Sequence, residues 1–226
     1  MEAAYAVLRR VPVQEEFDVS GMLGPADGPP LLLVVLGDST CTGPGLEGPA
    51  QTWCRLVASR FADRGHRVTV RSFAAGGATS SSVLLTQVPE AEKLGPDLTL
   101  IAVGTNDVTH QVPLSVLQRN LTEIVRRMTL VSDRVLVAGV GDLGTVPRLL
   151  PPLRQVASRR GRRADSVQNS VARGHGALKV ELWGAAADAF RSDPAIFSDD
   201  LFHPAAQGHR VWAEAAWEAI EPHLSP

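Results

Sequence analysis

Four short sequence elements, widely separated along the chain, contain the residue types that acyl-transfer chemistry requires. They are, in order, Gly37-Asp38-Ser39, Gly76-Gly77, Gly104-Thr105-Asn106-Asp107 and Asp200-Leu201-Phe202-His203. Together they supply a serine hydroxyl, hydrogen-bond donors for a developing oxyanion, and an imidazole with a carboxylate to orient it. A Gly-Asp-Ser tripeptide alone occurs by chance in many proteins, so the prediction depends on all four elements and on their order.

Ser39 is the candidate nucleophile. It follows the apolar run 31–36, so we expect its hydroxyl at a turn beyond the carboxyl end of a strand. A free serine is a weak nucleophile, and the hypothesis requires an imidazole within hydrogen-bond reach. Asp200 and His203 meet this need if a tight turn places both on one side, because the carboxylate then holds Nδ1–H and leaves Nε2 for the serine. Each feature alone is more often a helix cap or a surface pair.

Three N–H groups are candidates for an oxyanion hole. Asn106 offers a side-chain donor just beyond the third predicted strand, and Gly77 offers a backbone donor that no side chain obstructs. The backbone N–H of Ser39 is the third candidate. Asn-Asp and Gly-Gly pairs are also common in ordinary turns, so neither element is decisive alone.

The remainder of the chain predicts an α/β fold with a parallel sheet. Apolar runs rich in β-branched residues alternate with stretches of helical periodicity, which is the pattern of repeated βαβ units. The predicted strands are 31–36, 67–72, 98–103, 134–140 and 178–182, and the predicted helices are 50–64, 81–94, 114–130, 158–173 and 205–220. Ligands bind beyond the carboxyl ends of such strands, and three of the four elements directly follow strands one to three.

Length and composition predict one domain. The 226 residues, 44% of them apolar and 20% charged, suffice for a single substantial core. Residues 21–30 are rich in Gly and Pro and can neither continue a helix nor donate regularly to a sheet. We therefore expect residues 1–30 to form an N-terminal extension packed on a domain of residues 31–226.

The charge and the cysteine content narrow the class of partner and the location. A net charge of -2 gives no general attraction to nucleic acid or to anionic membranes, so we expect a small-molecule substrate, no nucleic-acid partner and no stable membrane association. Two cysteines are too few for a disulfide framework. Arg9 and Arg10 follow a short apolar stretch that is unlike a secretory signal, which favours a cytoplasmic location. Nothing in the sequence defines an oligomeric state.

The four elements resemble those of the SGNH hydrolases, also known as GDSL esterases and lipases. The resemblance runs from Leu31 to the C-terminus and includes these blocks: Gly37-Asp38-Ser39-Thr40, Ala75-Gly76-Gly77-Ala78-Thr79, Gly104-Thr105-Asn106-Asp107 and Asp200-Leu201-Phe202-His203-Pro204. It implies a three-layer α/β/α sandwich of flavodoxin-like type, here with a five-stranded parallel sheet. It also implies no metal or cofactor, and hydrolysis of carboxylic esters or thioesters through an acyl-serine intermediate.

The resemblance assigns roles to individual residues. Ser39 is the nucleophile, His203 the base and Asp200 its carboxylate partner, while Ser39, Gly77 and Asn106 form the oxyanion hole. Residues expected to line the pocket are Asp38, Thr40, Gly76, His110 and Trp183.

Two positions depart from the family pattern. Ser72 stands about where the second block usually opens with Asn, which leaves the support of the Gly77 loop open. Thr40, followed by Cys41, replaces the usual Leu or Ile after Gly-Asp-Ser and predicts a small polar rim beside the nucleophile. Neither departure removes a group that the chemistry needs. The chain also has no obvious long apolar lid, which favours short to medium acyl groups over long-chain lipid.

Other classes of function have weaker support. Gly139-Val140-Gly141-Asp142-Leu143-Gly144 is a formal G-x-G-x-x-G, but it follows the fourth predicted strand and runs towards three prolines instead of opening a helix, so we interpret it as a loop at the rim of the site. Metal-dependent hydrolysis lacks a His-Glu-x-x-His motif or a Cys/His cluster. A non-catalytic module that binds small molecules or carbohydrates on the same fold is the alternative left open.

Overall fold

The computed structural model describes residues 14–224, which contain a single six-stranded sheet. The strands, in chain order, are β1 Gly21–Leu23, β2 Pro30–Gly37, β3 Arg67–Ser72, β4 Leu98–Ala102, β5 Arg134–Ala138 and β6 Leu178–Val180. Their order across the sheet is β1-β3-β2-β4-β5-β6. β2 to β6 are parallel to one another, and β1 runs antiparallel to β3.

Helices connect these strands. In chain order they are α1 Ser39–Thr42, α2 Trp53–Asp63, α3 Ser80–Ser82, α4 Val88–Ala91, α5 Thr105–Thr109, α6 Leu114–Thr129, α7 Leu153–Gly174, α8 Ala185–Ser192 and α9 Ala206–Ile220. A π-helical turn, Val83–Gln87, joins α3 to α4, and 3₁₀ helices occupy Pro49–Gln51, Leu143–Thr145, Pro194–Ile196 and Glu221–His223. Within residues 14–224, none of the helices combines the length and the apolar character needed to cross a membrane.

The strand β2 shows that the sheet is covered on both faces. Leu33 and Val35 belong to one hydrophobic core, Val34 and Leu36 belong to another, and all four are fully buried. α2 and α9 supply the first core, whereas α6 and α7 pack in the second. A strand that is buried on both faces is apolar at nearly every position, which accounts for the unbroken run in the sequence. The predicted α/β/α sandwich is confirmed.

The five predicted parallel strands are present as β2 to β6, but the sheet has a sixth strand that was not predicted. β1 adds an antiparallel edge strand in which Gly21 pairs with Val70 and Leu23 pairs with Val68. The prolines of the 21–30 stretch follow β1 instead of interrupting it, and an edge strand needs hydrogen bonds on one side only. A strand of three residues is also too short to give an alternating pattern in the sequence.

Several helix boundaries also differ from the predicted ones. The predicted helix 158–173 begins earlier, at Leu153, and the predicted helix 81–94 is divided by the π-helical turn into α3 and α4. α1, α5 and α8 were not predicted, because helices of four, five and eight residues are too short to show an apolar period.

The N-terminal segment is closely attached to the sheet where the structure describes it. Residues 1–13 of the predicted extension lie outside the described residues. Val19 is fully buried, and Ser20 Oγ accepts a hydrogen bond of 3.0 Å from the backbone N–H of Ser72 at the end of β3. The side chain of Arg55 donates to the carbonyl oxygens of both Val19 and Ser20, at 3.3 Å each.

Candidate active site

The register of the sheet brings three of the four sequence elements to one edge. Gly37 at the end of β2 pairs with Ala102 at the end of β4, and Val35 pairs with Ser72 at the end of β3. The segments that follow these strands therefore leave the sheet side by side. The fourth element lies on the loop before α9 and approaches the same edge.

The turn after β2 presents Ser39 at the start of a short helix. Asp38 is the N-cap of α1, and its Oδ1 accepts a hydrogen bond of 3.0 Å from the Thr40 N–H. As the first residue of the helix, Ser39 has a backbone N–H without an intrahelical acceptor. Gly37 is required before this turn, since a β-carbon there would overlap the carbonyl oxygen of Ala102.

Ser39, His203 and Asp200 form a continuous chain of hydrogen bonds. Ser39 Oγ lies 3.1 Å from His203 Nε2, and His203 Nδ1 lies 2.6 Å from Asp200 Oδ2. The other carboxylate oxygen, Oδ1 of Asp200, accepts hydrogen bonds from Ser198 Oγ at 2.8 Å and from the N–H groups of Phe202 and His203 at 2.8 and 2.9 Å. The carboxylate is thus fixed by donors on both oxygens.

These contacts determine the charge of Asp200. Burial alone raises the pKa of the Asp200 carboxyl, but the hydrogen bonds from the His203 ring and from the N–H groups of His203 and Phe202 outweigh it and hold the pKa well below its usual range. Asp200 is consequently ionised at neutral pH. An ionised carboxylate at this distance keeps the proton on Nδ1 and stabilises a positive charge on the imidazole.

The predicted oxyanion donors lie on adjoining segments. Asn106 Nδ2 donates to the carbonyl oxygen of Ala78 at 3.0 Å, next to Gly77 in the chain. The N–H of Ala75 donates to the carbonyl oxygen of Gly37 at 3.1 Å, which joins the same loop to the turn before Ser39. Gly77 has φ +73 and is exposed, and its N–H has no hydrogen-bond partner within the part of the chain that the structure describes.

Asp38 is a buried acid directly beside the candidate nucleophile. Burial raises the pKa of its carboxyl to about 6, against the opposing effects of the hydrogen bond from the Thr40 N–H and of the charge of His203. Its Oδ2 accepts a long hydrogen bond of 3.4 Å from Asn106 Nδ2. Asp38 therefore connects the Ser39 turn to the Asn106 amide and lies beneath the site.

Two buried side chains to which the sequence assigned no role, Gln87 and Asp107, hold these turns. Gln87, in the π-helical turn, accepts a hydrogen bond of 2.8 Å from the Gly37 N–H through Oε1 and donates to the Gly37 carbonyl at 2.9 Å through Nε2. Asp107 accepts hydrogen bonds from the N–H and the hydroxyl of Ser80, at 2.8 and 2.6 Å. The position of Asp107 next to Asn106 was a signal in the sequence, whereas nothing local identifies Gln87.

An apolar cavity opens beside Ser39 and His203. Its apolar lining includes Leu143, Val146, Leu182, Phe190, Phe197, Phe202 and Trp212. Thr40, Thr105 and Thr145 are the threonines that also line it. A second cavity shares Thr40, Thr105, Leu182 and Trp212 with the first and extends over the strand ends to Trp53. The site thus combines a polar centre with an apolar recess.

Of the residues predicted to line the pocket, some border the two cavities and others do not. Thr40 borders both cavities. Gly76 lies on the Gly77 loop, and His110 is exposed after the end of α5. Trp183 is buried with its indole N–H donating to the Val140 carbonyl at 2.9 Å, and in the described part of the chain the cavity walls contain Trp212 and Trp53 in its place. Residues 141–143 of the glycine-rich loop line the larger cavity.

The family of the chain follows from its similarity to known proteins. A sequence profile of the GDSL-like lipase/acylhydrolase family matches residues 35–211, which is most of the chain. The protein belongs to this family. The matched region contains all four sequence elements, and it begins after the segment that includes β1.

Individual relatives agree with this assignment. A GDSL-like esterase of Mycobacterium tuberculosis is 32% identical to this protein over 197 residues. The matched region is 85% of this chain and 62% of the length of that esterase. The crystal structure of TesA matches with a TM-score of 0.71 and 25% identity, over 85% of this chain and 99% of that chain.

A further structural match is to an acetylxylan esterase. A catalytic mutant of Axe2, an acetylxylan esterase from Geobacillus stearothermophilus, has a TM-score of 0.68 over 85% of this chain and 95% of that chain. Its identity of 18% means that the likeness to this GDSL family member concerns the fold alone.

Proposed function

We propose that the protein is a serine hydrolase that cleaves carboxylic esters of short to medium acyl groups through an acyl-serine intermediate. The observation that carries the proposal is the hydrogen-bond chain from Ser39 Oγ through both ring nitrogens of His203 to Asp200, with distances of 3.1 and 2.6 Å. A serine, an imidazole and an ionised carboxylate in this order are the groups that activate a hydroxyl for attack on a carbonyl carbon.

In the first half of the reaction, Ser39 Oγ attacks the ester carbonyl carbon while His203 Nε2 accepts the hydroxyl proton. The carbonyl oxygen becomes an oxyanion that accepts hydrogen bonds from the N–H groups of Ser39 and Gly77 and from the Asn106 amide. Asp200 stabilises the imidazolium that forms. His203 then donates its proton to the leaving alkoxide, the ester C–O bond breaks, and an alcohol departs from the acyl-serine.

In the second half, a water molecule replaces the alcohol. His203 accepts a proton from the water as it attacks the acyl carbon, and the same three donors hold the second oxyanion. Collapse of this intermediate breaks the bond to Ser39 Oγ, which regains its proton from His203, and releases the carboxylic acid. A thioester follows the same steps with a thiolate as the leaving group.

The apolar cavity supports an acyl group on one side of the reacting carbonyl. It directly borders Ser39 and His203, and it is lined mainly by aliphatic and aromatic side chains such as Phe190, Phe197 and Trp212. Burial of each methylene of an acyl chain in such a site stabilises the complex by about 0.8 kcal/mol. This apolar lining supports the short to medium acyl groups of the proposal.

The experiment that tests the proposal is labelling with a fluorophosphonate, followed by location of the adduct by peptide mass spectrometry. We expect the adduct on Ser39 and none in Ser39→Ala, together with turnover of p-nitrophenyl esters from acetate to decanoate by the wild-type protein only. Folded wild-type protein that forms no adduct and hydrolyses none of these esters would favour the non-catalytic binding module instead.

The oxyanion donor on α5 has its own test. Replacing Asn106 with alanine removes one donor, which typically lowers turnover about 10²-fold to 10³-fold. We expect kcat to fall by that factor while the fluorescence and the unfolding midpoint of the variant stay near those of the wild-type protein. An unchanged kcat would remove Asn106 from the mechanism.

A further inference from the structure

The segment Gln14–Ser20, which precedes the region matched by the family profile, lies against the candidate active site. The N–H of Phe17 donates to the carbonyl oxygen of Thr42 at 2.9 Å, which joins the segment to the end of α1, the helix that Ser39 begins. Buried Val19 and the hydrogen bonds from Arg55 fix the segment immediately after this point. We call residues 14–20 the N-terminal arm.

The arm holds the loop between β3 and α3, which contains Gly76 and Gly77 and which we call the oxyanion loop, at two points. Glu16 Oε2 accepts a hydrogen bond of 2.9 Å from the N–H of Gly76. At the beginning of the loop, Ser20 Oγ accepts a hydrogen bond of 3.0 Å from the N–H of Ser72. The Ser72 hydroxyl itself accepts only a longer hydrogen bond, 3.3 Å from the Ala74 N–H. The loop thus receives support from the arm at the position where the family pattern has Asn in place of Ser72.

The absence of a side chain at residue 76 fits this contact. A β-carbon on Gly76 would overlap the carboxylate of Glu16, so glycine leaves the space that the carboxylate occupies. Two consecutive glycines have unusually free backbones, and Gly77 already adopts φ +73. A hydrogen bond to the Gly76 N–H restricts this freedom immediately before the proposed donor.

The arm also lies close to the loop that contains Asp200. A β-carbon on Gly45 would collide with both the Gln14 amide oxygen and the Ser198 side chain, so these two groups lie on either side of the same small residue. Ser198 Oγ donates to Asp200 at 2.8 Å. The arm therefore lies close to all three parts of the site: the nucleophile helix, the oxyanion loop and the acid loop.

On the basis of the proposed ester hydrolysis, we propose that Glu16 of the N-terminal arm is a positioning residue for the oxyanion hole. Its hydrogen bond to Gly76 holds the Gly76-Gly77 turn in the conformation in which the Gly77 N–H is available to the oxyanion. Without this bond the turn samples other conformations, and the donor is absent for part of the time. The loss then falls on the transition state, because the oxyanion exists only there.

The first test compares Glu16→Ala and Glu16→Gln with the matched control Glu15→Ala on a short p-nitrophenyl ester. We expect Glu16→Ala to lower kcat about tenfold with KM changed less than twofold, as a small misplacement of a catalytic group does. Glu16→Gln retains most of kcat, because its amide oxygen accepts the same hydrogen bond from Gly76. The control, an exposed neighbour in the arm, keeps full activity.

The second test is a double-mutant cycle between residues 16 and 76. Alanine at position 76 displaces the Glu16 carboxylate, and its backbone conformation is not in the region that only glycine favours. We expect Gly76→Ala to show the same loss of kcat as Glu16→Ala, and the double variant to be no worse than either single one. Multiplicative losses in the double variant would show that the two residues act independently and would overturn the proposal.

The inference and the proposed function fail in different ways. If the wild-type protein hydrolyses the ester, Ser39→Ala does not, and Glu16→Ala has wild-type kcat, then the role of Glu16 is overturned and the hydrolase remains. If Glu16→Gln is as impaired as Glu16→Ala, the hydrogen bond is not the cause and the inference is also wrong. A wild-type protein without hydrolysis or a Ser39 adduct overturns both proposals.

Discussion

His203 and His209 lie six positions apart in the same C-terminal block, yet their surroundings are opposite. His203 is partly exposed, with a carboxylate 2.6 Å from Nδ1 and the Ser39 hydroxyl 3.1 Å from Nε2. His209 is 1% exposed, and its Nδ1 accepts a hydrogen bond of 3.1 Å from the N–H of Trp53 at the start of α2. One ring faces an acid and the cavity, whereas the other is enclosed in the protein.

The difference shows which neighbours make a histidine a base. At His203 the carboxylate keeps the Nδ1 proton and leaves Nε2 as the acceptor, so the ring can gain a second proton beside a negative charge. At His209 a backbone donor occupies Nδ1, and burial lowers the pKa of the ring to about 3, with a smaller contribution from the charge of His203. The buried ring stays neutral and acts as a hydrogen-bond acceptor for a helix terminus.

The largest effect on catalysis is expected when His203, the proposed base, is removed. His203→Ala removes the proposed base, and loss of a base of this kind lowers kcat by about 10⁴-fold to 10⁶-fold. The measurement is single-turnover hydrolysis of p-nitrophenyl butyrate, with the circular dichroism spectrum as a check of folding. A loss of less than tenfold would show that Ser39 does not depend on His203.

A smaller effect is expected when only the carboxylate is neutralised. Asp200→Asn removes the charge that stabilises the imidazolium and can reverse the tautomer of His203, and we expect kcat to fall about 10²-fold to 10⁴-fold. The pH profile of kcat/KM gives a second test, because the negative charge that acts on the His203 ring is absent from the variant. A profile identical to that of the wild-type protein would contradict the role of Asp200.

The variant also has a predictable effect on acid stability. The pKa of Asp200 is lower in the folded protein than in the unfolded chain, so its ionised form stabilises the fold above the unfolded value and this contribution is lost as the pH falls. Asp200→Asn lacks the contribution at every pH. The difference in free energy of unfolding between the two proteins should therefore narrow as the pH is lowered.

The smallest effect on catalysis is expected at the buried ring. His209→Asn keeps an acceptor for the Trp53 N–H, and we expect kcat within about threefold of the wild-type value and a loss of stability at pH 7 of about 1–3 kcal/mol from imperfect packing. Unfolding by urea at pH 7 and pH 5 measures the stability, and the ester assay measures kcat. A loss of kcat as large as that of His203→Ala would abolish the distinction between the two histidines.

The stability that His209 contributes to the fold depends on pH. The folded pKa of His209, about 3, is below its ordinary value of 6.5, so the unfolded chain binds a proton that the folded protein does not. Wild-type stability from this source is complete above pH 6.5 and declines as the pH falls towards 3, whereas the asparagine variant has no such decline. Asp38, with a pKa raised to about 6, has the opposite dependence, but it is common to both proteins and cancels in the difference.

Much of the fold was predictable from the sequence because local patterns determine it. The unbroken apolar run of β2 and the alternation of strands and helices predicted the sandwich, and the positions after the strands predicted that Ser39 and Asn106 would lie at one edge. The proximity of His203 to this edge depended on the order of the elements and on the family resemblance, since a sequence separation of 164 residues leaves no local trace.

The remaining features depend on contacts between distant residues. Glu16 is one of many exposed acids in the sequence, and only its position against Gly76 distinguishes it. Trp212 has the helical spacing of a core residue, which concealed its place in the cavity wall. The edge strand β1 has only three residues, which is too few for a pattern in the sequence. It forms by pairing with β3, and the sequence does not show this contact.

The π-helical turn Val83–Gln87 has a consequence for how this chain tolerates change. The amide of Gln87 meets the Gly37 N–H and carbonyl just as the peptide group of a neighbouring strand would. The wide turn accommodates one residue more than an α-helical turn does, and deletion of a residue there would rotate the following side chains by about 100°. Substitutions on the exposed side of the π-helical turn should therefore be tolerated. Deletion of one residue within it should abolish the turn that presents Ser39.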